Sequence, residues 1–225
     1  MLGQRHVGHG GTLDPLATGL LPLLVGPATK FVERLHTAPK VYVARVRFGY
    51  ETATDDAEGA PGRSAPVPAG DAVLAALDGF RGVITQRPPA YAALKVGGRA
   101  AYARARAGET LDLAAREVQV FRIGMTRWSK EGEVTLLVVC SGGTYVRAIA
   151  RDLGQRVASA AHLAALRRLA VGALEVRDAI GIEALREAGR DAALARLRPA
   201  TDAVLALDDR YLSDPVDRLV ATGDA

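Results

Sequence analysis

The run Gly10-Gly11-Thr12-Leu13-Asp14-Pro15-Leu16-Ala17-Thr18-Gly19 sets a single carboxylate among glycines and turn residues. Pro15 fixes its own φ and pushes Asp14 toward extended geometry. Gly10, Gly11 and Gly19 let the backbone take positive φ or pass close to a ligand. An acid on such a loop can point into a cleft and act as a nucleophile or base. The rival reading makes Asp14 the N-cap of a helix begun by Leu16-Ala17-Thr18, and on spacing alone the cap leads. His9 lies between Gly8 and Gly10, which leaves its ring free to reach a ligand, and no second histidine stands at metal-ligand spacing. The lone cysteine, Cys140, ends an apolar run and reads as a buried strand thiol; one cysteine excludes an internal disulfide and a cysteine-cluster zinc site.

The elements that must position these groups follow from periodicity. Residues 20–25 are a short apolar run fit for a buried strand, Gly26-Pro27 breaks it, and 28–36 reads as a helix ending near Pro39. Residues 41–48 alternate with period two, a half-buried strand that places Tyr42 on one face with Val46 and Phe48. Residues 50–70 read as loop, 71–80 and 99–106 as helices. Residues 117–128 and 133–140 form a hairpin around Ser129-Lys130-Glu131-Gly132. A helix over 144–156 follows Gly142-Gly143 and carries Arg147 and Arg151 on one face. Residues 158–167 read as a short helix, 169–176 as a strand, and 182–188 and 190–197 as two Ala-rich helical pieces before Pro199. Hairpins interleaved with helices indicate an α+β fold with a largely antiparallel or mixed sheet.

At 225 residues the chain is long enough for a sizeable core. No apolar run approaches the ~18 residues that span a bilayer, and the start lacks a secretory pattern, which favours the cytoplasm. A net charge of +4 and a pI near 9.4 permit a polyanionic partner without demanding one.

Read with its flanks, the stretch from Val7 to Pro22 resembles the signature of the TruB-type tRNA pseudouridine synthases, bacterial enzymes that make pseudouridine 55 in the T-arm of tRNA. Four further stretches resemble that family in order: Lys40-Val41-Tyr42; Thr54-Asp55-Asp56-Ala57-Glu58-Gly59; Gln86-Arg87-Pro88-Pro89-Ala90-Tyr91-Ala92-Ala93-Leu94-Lys95; and Cys140-Ser141-Gly142-Gly143-Thr144-Tyr145-Val146-Arg147, continued by Asp152-Leu153-Gly154 and Leu166-Arg167-Arg168-Leu169. The similarity runs from about residue 5 to residue 200. It implies a mixed, largely antiparallel sheet flanked by helices around a catalytic cleft, with no cofactor and no metal. The implied partner is the T-arm of tRNA, met by a monomer.

The resemblance also implies roles. Asp14 is the nucleophile, attacking the sugar or the base or removing a proton, and Arg147 holds it ionised and aims it. Tyr42 stacks on the target uracil and supplies a hydroxyl for base chemistry. Leu166 covers the base. His9 stacks where the flipped nucleotide had been, Lys95 and Tyr145 face RNA, and Asp56 supports the active-site arginine. From the residues alone, Tyr42 and Leu166 read equally as core, Arg147 as a surface cation, and Thr54-Asp55-Asp56 as a solvated turn.

Two departures stand out. Family members usually carry an N-terminal strand with a Lys-Pro-x-Gly-x-Thr-Ser signature before the Gly-His motif, and eight residues precede His9 in this sequence; the expectation is an opened sheet edge. Residues 1–198 read as the catalytic domain, and 199–225 as a linker and the start of a C-terminal RNA-binding domain, which predicts weaker tRNA affinity than in a longer relative. A tRNA-binding or chaperone relative without turnover and a nucleoside hydrolase are the competing functions.

Overall fold

The computed structural model describes residues 3–92, 94–96, 99–100, 104, 109 and 113–204; the side chains of 95, 96, 99, 100, 203 and 204 lie outside the description. Its frame is a seven-stranded sheet. The central strand β11 (Glu133–Cys140) pairs antiparallel with β10 (Arg116–Trp128) on one side and β4 (Lys40–Phe48) on the other. Beyond β10 lies β7 (Gly82–Gln86); beyond β4 lies β12 (Ala161–Val171), which pairs with β13 (Leu174–Glu175) and, in parallel, with β2 (Ala17–Gly19). One parallel pair among antiparallel neighbours makes the sheet mixed and largely antiparallel, as the hairpin pattern predicts.

β11 reads Val-Thr-Leu-Leu-Val-Val-Cys because both of its faces are covered. On one face, Tyr42, Val46, Phe48, Leu136 and Val138 pack with Ile149 and Leu153 of α3 (Val146–Arg156) and Val73 of α2 (Gly70–Ala76). On the other, Val41, Val43, Leu137 and Val139 meet Leu169 and Ala170. Cys140 is buried, as its place at the strand end predicts, and burial pushes its thiol pKa up to about 12.

The helix read over 158–167 is instead the first part of a strand, β12, which begins at Ala161 and runs to Val171; the strand read over 169–176 is the end of β12, a turn and β13. Alanine and leucine favour a helix in isolation, but here the segment lies between β4 and β2 and is buried on both faces, so no polar alternation marks it. Two register shifts, between Leu163 and Ala165 and between Arg168 and Ala170, break the period of two as well. The same sheet overturns the capping reading of Asp14. No helix follows it: residues 14–17 form a turn, with Ala17 N–H donating to Asp14 O at 2.9 Å, and β2 follows. Pro15 fits the second position of that turn, where φ near −65° is required.

Smaller differences have local causes. Of the run 20–25 only β3 (Leu23–Val25) pairs, with β1 (Val7–His9), since Pro22 has no N–H to offer. The loop read over 50–70 contains a two-stranded ribbon of β5 (Tyr50–Thr52) and β6 (Pro61–Ser64). The helix read over 28–36 is a 3-10 segment, Gly26–Phe31, followed by α1 (Val32–Thr37). Within the helix read over 99–106, Arg99–Ala100 is a short strand, β9, paired with β8 (Lys95–Val96); Arg104 is described, and the other positions lie outside the described residues. The two pieces read over 182–197 appear as α4 (Ile182–Ala195), broken at Gly189 with φ 73°. Among the described residues no helix is long and apolar enough to cross a membrane.

Candidate active site

The turn after Gly10-Gly11 brings Asp14 to the mouth of a cleft of about 350 Å³ whose walls include Lys40, Tyr42, Tyr145, Leu166 and Arg168. That volume lies in the range of small-molecule sites. Arg147 comes from the first turn of α3, 133 residues away, and grips the acid with a bidentate fork: Nε donates to Oδ2 at 2.9 Å and Nη2 to Oδ1 at 2.8 Å. The arginine side chain is 5% exposed and the aspartate 28%, so the carboxylate keeps one side open to the cleft.

Arg147 is saturated around its rim. Nη1 donates to Thr54 O at 3.1 Å and lies 3.4 Å from Asp56 Oδ2, while Nη2 also donates to Tyr91 O at 3.2 Å. Asp56 is itself fixed, since Glu58 N–H donates to its Oδ1 at 3.1 Å and the neighbouring Ala57 N–H to Leu163 O of β12 at 3.0 Å. The Thr-Asp-Asp segment is thus a buried support instead of the solvated turn its composition suggests. Arg151 does not join the cleft. Its guanidinium meets Asp55 at 2.9 Å and Asp152 at 2.8 Å. Burial raises the Asp55 pKa against the opposing pull of Arg151. Of the two candidate second carboxylates, Asp55 is held by Arg151, and Asp56 shares Arg147 with Asp14 but is buried, whereas glycoside hydrolysis needs two carboxylates flanking one bond.

Tyr42 is 7% exposed and is at once part of the core and a wall of the cleft. Burial pushes its pKa up, which keeps the hydroxyl protonated at neutral pH, while the facing Arg168 guanidinium works the other way. Leu166 lies on β12 opposite Ala44 and walls the cleft from a strand, where periodicity predicts a helix. Tyr145 sits at the N-cap position of α3. Its backbone N–H donates to Gln86 Oε1 at 2.8 Å, and Gln86 Nε2 donates to its carbonyl at 3.0 Å. Arg116 lies 5.8 Å from its ring centroid, and burial raises its pKa.

His9 lies beside the cleft, exposed on β1; the histidine that lines the cleft is His36, whose ring is 6.2 Å away and whose Nε2 is 3.1 Å from His9 O. The Lys95 side chain lies outside the described residues, although its neighbour Leu94 lines the cleft. Spacing gave no reason to single out two buried cations. Lys40 donates from Nζ to the carbonyls of Leu35 at 3.1 Å, His36 at 2.9 Å and Ala38 at 2.8 Å, closing the C-terminal end of α1. Its pKa falls to about 8, through desolvation first, with Cys140 opposing and Arg168 adding to the fall. Arg168 is wholly buried. The signal for both was their place inside the quoted motifs; their burial is not visible in a sequence. Among the described residues, no group of three or more His, Cys, Asp or Glu side chains is placed to hold a metal ion.

Residues 1–146 match the family described as TruB family pseudouridylate synthase (N terminal domain). The chain is 48% identical over 198 residues to the tRNA pseudouridine synthase B of Xanthomonas campestris pv. campestris, covering 86% of this chain and 64% of that protein. It is 46% identical over 209 residues to the tRNA pseudouridine synthase B of Ralstonia nicotianae, covering 91% of this chain and 66% of that protein. The chain thus spans a little under two thirds of the length of these curated relatives. Among solved structures, a chain in the crystal structure of a Cbf5-Nop10-Gar1 complex superposes with a TM-score of 0.67 at 25% identity, covering 90% of this chain and 54% of that one. The structure of an H/ACA RNP bound to a substrate RNA containing 2'-deoxyuridine shares the fold, with a TM-score of 0.65 at 23% identity over 90% of this chain and 53% of that one.

Proposed function

We propose that this chain, which belongs to the TruB family of pseudouridylate synthases, isomerises uridine to pseudouridine in tRNA, acting at position 55 of the T-arm. The observation that carries the reading is Asp14, half-open to the cleft and forked by a buried Arg147 whose other contacts leave it no freedom to move. The reaction breaks the C1′–N1 bond, turns the base, joins C1′ to C5 and removes the C5 proton. It involves no net oxidation and no group transferred to a second molecule, so a carboxylate that adds and later departs suffices.

Each wall of the cleft has a use in that reaction. The fork fixes the direction of Asp14 before substrate arrives, an orientation effect that contributes to catalysis without further motion. Tyr42 and Leu166 sandwich a flat pyrimidine, and the protonated Tyr42 hydroxyl is a hydrogen-bond donor toward it. Tyr145, His9 and Lys95 take the surrounding RNA, and His9, exposed at the rim, suits the space a flipped nucleotide leaves. Residues 1–198 supply this catalytic unit, acting as a monomer in the cytoplasm.

Replacing Asp14 by Asn tests the proposal. In tRNA carrying 5-tritiated uridine, the wild-type chain releases tritium and Asp14→Asn releases none while binding tRNA with near-unchanged affinity. Release of free uracil by the wild type would mark a hydrolase, and binding without release a non-catalytic relative.

A further inference from the structure

Arg168 is wholly buried, yet none of its partners is a carboxylate that would account for its charge among the described residues. Its partners are backbone carbonyls at the two stems of the Asp14 loop. Nη2 donates to Gly11 O at 3.0 Å and Nη1 to Thr12 O at 3.4 Å, before the acid, and Nε donates to Leu20 O at 2.7 Å, after it. The backbone repeats the grip, because Leu20 N–H donates to Arg168 O at 2.9 Å. Gly19 passes so close that a Cβ there would stand 2.2 Å from that same carbonyl. On β4, Tyr42 is the register partner of Arg168.

We propose that Arg168 is a positioning residue of the uridine site: one buried guanidinium, in register with Tyr42, that holds both stems of the Asp14 loop and so fixes where the acid stands against the cleft. This rests on the isomerase reading for its consequence in turnover, but the geometry stands without it. Guanidinium is a rigid, donor-only fork with five N–H groups, which suits several carbonyls in fixed directions; an ammonium is a point donor and cannot span both stems.

The test is Arg168→Lys in the full chain, with Arg168→Gln alongside. A misplacement of about 1 Å costs about 100-fold, so tritium release by Arg168→Lys is expected to fall by about that factor in kcat while KM for tRNA stays within about threefold. Hydrogen exchange supplies a readout independent of activity: the amides of Ala17 and Leu20 exchange about tenfold faster in Arg168→Lys, and those of β11 are unchanged. Turnover within about threefold of wild type, with unchanged exchange, overturns the proposal. So does a uniform loss of protection across the sheet, or failure of both variants to fold, since Arg168 would then be a requirement of the fold and not of the site. If the wild type itself releases no tritium, the isomerase reading fails, and the exchange comparison still decides the role of Arg168.

Discussion

Asp14 and Asp56 share one guanidinium but differ in what they lose without it. Asp14 opens onto the cleft; Asp56 is buried, so removing Arg147 strands a carboxylate in the interior. Arg147→Met is expected to lower stability by about 3–5 kcal/mol, measured by urea unfolding, because an uncompensated buried charge is left behind. Arg147→Lys keeps the charge and loses the fork, and a loss of about 10- to 100-fold in kcat is expected from the weakened charge-assisted hydrogen bonds. Lys40 and Cys140 give the stability a pH dependence. Folded Lys40 titrates near 8 against 10.5 unfolded, so from pH 8 upward the unfolded chain binds the extra proton and stability rises with pH. Folded Cys140 holds its proton to about 12 against 9.0 unfolded, so above pH 9 it acts in the opposite sense and cancels the rise. Urea midpoints taken from pH 7 to 10 should climb between 8 and 9 and then level. Lys40→Met removes the climb, and Cys140→Ala prolongs it.

At the scale of elements, the close pairing of β2 with β12 decides where the Asp14 loop ends. Gly19 has φ 95° and no room for a side chain against the Arg168 backbone. Gly19→Ala is expected to cost about 3 kcal/mol from strain and overpacking together, seen as a lowered urea midpoint, and to reduce turnover beyond what the lost stability explains. A variant as stable and active as wild type would show that β2 can part from β12 without consequence. Gly154 has the same constraint where α3 meets the start of β12, with Ala161 N 2.7 Å from where a Cβ would sit. Both glycines are read from space, not from turn type. Such close approaches bring α3 with Arg147, β12 with Leu166 and Arg168, and the Asp14 turn to one edge of β4.

For the whole molecule, a net charge of +4 suits the polyanionic substrate proposed for it, and binding of tRNA is expected to weaken as salt rises. A plot of log affinity against log salt should fall with a slope of about −0.7 to −0.9 for each phosphate neutralised. Lys95→Met is expected to flatten that slope by about 1 if the lysine meets a phosphate, and to leave kcat unchanged. A slope that does not change assigns Lys95 no phosphate.

Local chemistry in the sequence carried far. The alternating strand of Tyr42, the hairpin to Cys140 and the helix of Arg147 were legible because each depends on turn residues or on a period within about ten positions, whereas spacing alone put Asp14 at a helix cap. Their collinear motifs identified the family. Three things were beyond that reach. The first part of β12, up to Arg167, reads as a helix because burial on both faces erases alternation, and only the partners β4 and β2 make it a strand. Asp56 reads as a wet turn until a guanidinium from α3 covers it. Nothing in the spacing marks Lys40 and Arg168 as buried; the end of α1 closes around the first, and carbonyls about 150 residues away close around the second. Residue types and short-range spacing are written in the chain, whereas desolvation and the meeting of groups 133 residues apart exist only once the sheet has formed.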